Sequence, residues 1–419
     1  MQIFDNSVSC ISTIIKDKKS LSEVLRDNYK TIGREANRTI LSIVGLCLRN
    51  YFLINHFARS ILKATTVEEV AALGVLFSTI AFNKYSNKDE ITNDFNAFYK
   101  NNGIELTEEQ NNLIKILLEK KKNFDFKDIN KGSFEFFSIK FNLPVWLLKM
   151  LAHQYDRGMM VNIAKACSKM PLQYALKNSF VEVPFDQRAE LLKDFQFDEK
   201  LDLYKYLPEN SLKNNPLVKS DCLIPVQIAS SELLKHLPIL NNKEVMVFLE
   251  HKDPIFFGVV MKYAENNKIS LINKYPQKTY SLVEKIKKCP IRQFKNYETD
   301  ETGITTYVDS LQDLIIYFPE TSSLDYVRRR PEYSIIFDTN TLDSLIGNQN
   351  KTIDELSKHV ELDGRLIYAC NTINIKETVL VVYKFLEKHK EFKEEFSQSS
   401  FPCDPNNSIY YYSILRRIK

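Results

Sequence analysis

DLIIYFPETSSLDYVRRRPE, residues 313–332, runs from an apolar stretch into a polar loop that ends on three successive arginines. The Ile, Tyr and Phe of its first half read as the end of a buried strand. In a domain of alternating strands and helices, the loop after such a strand opens the ligand crevice. Three guanidinium forks there suit an anion, yet the loop carries no side chain equipped to do chemistry on one. Similar β-rich runs recur at KEVMVFL (243–249), KISLINK (268–274), YSIIFD (333–338) and GRLIYACN (364–371). Helix-like stretches such as TYSLVEKIKKC (279–289) separate them, so residues 236–419 are expected to form a doubly wound α/β domain.

The first 125 residues read differently. TILSIVGLCLRNYFLINHFARSILKA (39–64) repeats apolar residues at spacings of three and four. TTVEEVAALGVLFSTIAF (65–82) opens on an N-cap-like Thr and an acidic first turn. LTEEQNNLIKILLEKKKNF (106–124) has acids first and lysines last, as the helix dipole prefers. An all-helical domain is expected over 1–125. Residues 126–235 form a linker and a small middle module, within which LPVWLLKMLAHQYD (143–156) is a helix with Pro144 at its start. Residues 180–225 offer no clear pattern.

The bulk numbers exclude several classes. The chain has 419 residues, 44% hydrophobic, enough to bury cores in two or three domains. Its net charge of +4 means that any nucleic-acid surface arises from local clustering. No apolar stretch approaches the roughly 18 residues of a membrane span, and the N-terminus lacks the order of a secretory signal, so a cytoplasmic protein is expected. Seven cysteines and six histidines are scattered without CxxC or HExxH spacing, which predicts neither a metal site nor a disulfide framework. Ten glycines, no two within three residues of each other, leave no glycine-rich loop for a nucleotide phosphate.

Three stretches together resemble the bacterial rRNA cytosine methyltransferases of the Sun type, in which a NusB-like helical domain precedes a methyltransferase domain. They are IVGLCLRNYFLINHF (43–57), FNLPVWLLKMLAHQYD (141–156), and the series VRRRPE, GRLIYACNTINIKET and IYYYSILRRIK in the family's order. The resemblance implies a multidomain α plus α/β protein: a NusB-like domain, a small middle module and a Rossmann-like methyltransferase fold. It also implies S-adenosylmethionine, held by a loop of the form Asp-Leu-Cys-Ala-Ala-Pro-Gly-Gly-Lys-Thr. Here that loop reads FLEHKDPIFF (248–257), with Phe248 first, Pro254 and Ile255 for the glycines, and Phe256 and Phe257 for Lys-Thr. The ribose-binding acid falls at Asn273, which lacks charge and a second acceptor oxygen. No bound cofactor is expected.

The nucleophile loop of the family, Asp-Ala-Pro-Cys-Ser-Gly, falls on residues 318–323. Phe318 takes the Asp place and Thr321 that of the cysteine which attacks carbon 6 of cytosine. A hydroxyl lacks the thiolate fraction this attack needs. The second family cysteine falls at Asn371, with Cys370 one residue away as a displaced helper. A one-residue shift in a strand turns the side chain to the other face. Arg328, Arg329 and Arg330 are the candidate phosphate contacts. Arg26, Lys30, Arg34 and Arg38, four residues apart, would line one helix as a basic stripe; solvated surface charges are the alternative for both sets. Ala175 replaces an arginine of the family's middle module, and Trp146 reads as a core residue. The expected protein is a catalytically degenerate homologue that binds structured RNA, either rRNA or a ribosomal subunit, and neither DNA nor membrane. Two alternatives stand beside it: an active methyltransferase using Cys370 or Cys403, and a scaffold that docks a protein through its helical domain.

Overall fold

The structure is a computed structural model. It describes residues 2–28, 34–82, 87–208, 210–251, 253–287, 289, 291, 293–299, 310–405 and 407–419. The chain forms two compact units, one of residues 1–170 with 326–338 and one of residues 171–325 with 339–419.

The first unit is helical. Its centre is the helix Val67–Phe82, buried along most of its length because it is apolar on nearly every side. Glu69 closes its N-terminus by accepting from the backbone N–H of Thr65 and Thr66 while Thr66 Oγ1 accepts from Glu69 N–H. At Gly74 an added Cβ would collide with Cys47 Sγ, so glycine lets the neighbouring helix come close. The apolar run 39–64 is not one helix. Arg34–Leu48 ends and Tyr51–His56 restarts, with a 70° bend between the segments 35–48 and 51–61. Asn142, itself left-handed at φ 57°, bridges that break: its Nδ2 donates to Leu48 O at 2.9 Å and its Oδ1 accepts from Phe52 N–H at 3.2 Å. No single helix among the described residues is long and apolar enough to cross a membrane.

The second unit holds two sheets. Four short antiparallel strands, β1 (Tyr174–Lys177), β2 (Phe195–Asp198), β3 (Leu203–Tyr206) and β4 (Leu223–Val226), lie in the order β2-β3-β1-β4. Four-residue strands are too short to carry a readable period. The larger sheet contains β5 (Glu244–Leu249), β6 (Lys268–Asn273), β7 (Phe294–Glu298), β8 (Gln312–Phe318), β9 (Val360–Cys370), β10 (Phe392–Ser400) and β11 (Tyr410–Arg417). Its order is β10-β11-β9-β8-β5-β6-β7. The pairs from β9 through β7 are parallel, and β11 is antiparallel to both β9 and β10. This is the Rossmann-like methyltransferase fold that the sequence led us to expect.

One expected strand is corrected. YSIIFD does not join the sheet: Tyr333–Ile336 is a short helix, and Ile335 and Ile336 pack against the core of the helical unit. A four-residue apolar run fits either state, and here packing chose helix.

Candidate functional site

The chain runs from β5 outward through β6 and β7, then returns to place β8 on the other side of β5. Such a reversal opens a crevice at the carboxyl ends of the strands. The loops there come from β5 (Glu250, His251, Asp253), β8 (residues 319–325) and β9 (371–377), and they interlock through buried polar groups.

Thr321 Oγ1 donates to Asn371 Oδ1 at 2.9 Å. The Asn371 Nδ2 in turn donates to Asp325 Oδ1 at 3.1 Å and lies 2.9 Å from His251 Nε2. Next to them Glu377, fully buried, accepts from Ser322 N–H (2.7 Å), Ser322 Oγ (2.5 Å), Asn374 Nδ2 (2.9 Å) and Gln349 Nε2 (3.3 Å). The loops after β8 and β9 are therefore tied directly to each other. Ser323 holds φ at +45°, a left-handed conformation that costs a side chain about 1–2 kcal/mol.

A second cluster sits where β5, β6 and β8 end. Glu250 pairs with Lys274 at 2.8 Å, and its other oxygen accepts from Tyr317 Oη (2.7 Å) and Glu320 N–H (3.2 Å). Burial, then the Glu250 carboxylate, raises the Tyr317 phenol well above its ordinary range, so it stays a donor. Asp253 closes the start of the helix Phe256–Tyr263 by accepting from Ile255 N–H at 3.1 Å, and accepts from Tyr410 Oη at 3.0 Å.

The other candidates are placed as follows. Phe248 and Phe318 are buried in β5 and at the end of β8. Asn273 ends β6, buried, and its Oδ1 finds no hydrogen-bond partner among the described residues. The Cys370 thiol is buried at the end of β9, and burial followed by the Glu377 charge pushes it far above the usual thiol range. Cys403 is exposed, with its thiol also raised, by burial and by Asp404.

The arginine cluster does not present three equivalent forks. Arg328 is only 3% exposed, whereas Arg329 and Arg330 are exposed, and Arg330 lies over the Tyr326 ring at 4.3 Å. All three belong to the helical unit. Arg26 is on Leu21–Asn28, Arg34 and Arg38 are on Arg34–Leu48, and Lys30 lies outside the described residues. Trp146 stacks on Phe337 at 5.4 Å, and Ala175 is buried in β1. Among the described residues no group of His, Cys, Asp or Glu side chains could hold a metal ion.

Sequence reading missed Glu250, Lys274, His251, Asp325 and Glu377. The available signal was position: Glu250 and Lys274 each follow the last residue of an apolar strand, and a charge at that point faces the crevice.

Residues 259–406 match the model of the family described as 16S rRNA methyltransferase RsmB/F. No curated protein matches the chain in sequence. Among solved structures, PH0851 is 17% identical, with a TM-score of 0.73 and 98% of each chain covered. NSun6 from Pyrococcus horikoshii is 13% identical, with a TM-score of 0.55 over 66% of this chain and 98% of its own. A methyltransferase homologue from the same organism is 10% identical, with a TM-score of 0.54 over 67% and 98%. These likenesses are in fold, and with the family match over the C-terminal domain they lead to one conclusion: the chain resembles the 16S rRNA methyltransferases of the RsmB/F family.

Proposed function

We propose that the protein binds structured RNA, rRNA or a ribosomal subunit, in the cytoplasm without transferring a methyl group. On this reading residues 1–125 are a NusB-like domain and 126–235 a middle module ahead of the methyltransferase fold. The RNA part of this reading rests on the likeness to the rRNA methyltransferase family, and the observation against methyl transfer is the Thr321–Asn371 hydrogen bond. The two positions where the family has cysteines hold a hydroxyl and an amide, buried and bonded to each other at 2.9 Å. Neither group supplies a thiolate.

S-adenosylmethionine, the cofactor the family implies, does not fit the residues present. Lys274 pairs with Glu250 at 2.8 Å, so that carboxylate is already committed to a cation of the protein. Asp253 occupies the helix start where a ligand's anionic group would be welcomed. Phe256 and Phe257 are committed to the core. Asn273 Oδ1 is an open acceptor at the end of β6. Isothermal titration with S-adenosylmethionine is expected to give no heat of binding while filter binding retains an rRNA fragment. Saturable cofactor binding would revive the reading as an active methyltransferase. The buried, high-pKa thiol of Cys370 argues against that reading.

A further inference from the structure

The segment KKKNFDFKDINKGSFEFFSIKF (120–141) interleaves lysines with phenylalanines, and in the helical unit it folds around a cavity of about 250 Å³. Phe124, Phe126, Phe136, Lys122, Asp125 and Lys140 are among its lining residues. The three rings are half-buried. Phe124 and Phe126 stand 4.7 Å apart, each with one side against the helical core, so their positions are fixed before any ligand arrives.

The charges around this groove are unevenly satisfied. Asp125 pairs with Lys131 at 3.3 Å, and Asp128 and Glu135 face His56 at 3.3 and 3.6 Å. Lys122 and Lys140 pair with no acid among the described residues, and Lys140 sets its ammonium over the Phe136 ring at 5.4 Å. Arg49 stands near enough to Lys122 to repel it. The Lys122 side chain is exposed, yet burial around its ammonium and then that repulsion hold it below the usual lysine range. An arriving anion would relieve both cations.

We propose that this groove takes a single-stranded stretch of RNA, with one base against the phenylalanine rings and its flanking phosphates on Lys122 and Lys140. Bases of any sequence stack on aromatic faces, and lysines alongside track the backbone. The cavity is smaller than the roughly 300–1,000 Å³ of pockets that take a whole drug-sized ligand, which suits a single ring. The inference rests on the RNA-binding reading and gives it a location in the helical unit.

The test measures affinity of the full chain for a labelled single-stranded oligoribonucleotide across a salt series. Wild type is compared with K122E/K140E, which changes only exposed charges, and with F136L, which removes a ring and keeps apolar bulk. The proposal expects about a tenfold or greater loss in each variant. In the charge variant the slope of log affinity against log salt should flatten by about 1.4, the worth of two single-strand phosphate contacts. Wild-type binding with both variants unchanged in affinity and slope would overturn the groove and leave RNA binding standing elsewhere. A wild type that binds no RNA would overturn both. Polyglutamate competing as well as RNA would reassign the groove to an acidic peptide.

Discussion

At the scale of the residue, the cysteines separate the readings most cleanly. Cys370 lies closest in sequence to a catalytic position, but it is buried beside Glu377, and both influences oppose its ionisation. Cys403 is exposed. Iodoacetamide at pH 8 is therefore expected to label Cys403 in the native protein and Cys370 only after denaturation, as peptide mass spectrometry would show. Early labelling of Cys370 would contradict its burial. The resemblance to the family, by counting along the loops, assigned Thr321 and Asn371 to the cysteine places without any structure. Their hydrogen bond was not legible, since it joins positions fifty residues apart.

At the scale of the element, the loops after β8 and β9 behave as one body because Glu377 gathers donors from both sides. Glu377→Ala removes the carboxylate that accepts from Ser322 N–H and Asn374 Nδ2, whereas Gln349 Nε2 keeps Glu320 O at 2.9 Å. Unsatisfied buried donors cost about 1–3 kcal/mol each, so a loss of about 3 kcal/mol is expected from urea unfolding. Faster amide exchange is expected at 320–323. An unchanged midpoint would mean that the loops hold without this carboxylate. The strands β5, β6, β8 and β9 were readable because a buried parallel strand is a continuous apolar run. YSIIFD has the same composition and became a helix, because its apolar residues found the helical core instead of a sheet edge. The four short strands β1 to β4 were not readable at all.

At the scale of the whole molecule, a net charge of +4 limits how RNA can be held. Affinity must come from a few local clusters, so the slope of log affinity against log salt is expected near −3 to −5, as for roughly four to six phosphate contacts. A flat response would rule out phosphate-led binding. On the proposed RNA-binding reading, only Arg329 and Arg330 of the arginines at 328–330 are exposed to meet phosphate, because Arg328 is buried.

The sequence by itself determined the helical and α/β parts, the family resemblance, and the lack of a thiol and of a glycine-rich loop where the resemblance calls for them. These depend on residue identity and local period. Only the tertiary structure decided what those positions became. Thr321 closes onto Asn371, Lys274 onto Glu250, and Lys122, Lys131 and Lys140 line a cavity with three rings while Asp128 and Glu135 face His56. Each of these follows from which side chains the fold brings within a few ångströms, and sequence separation does not encode that distance.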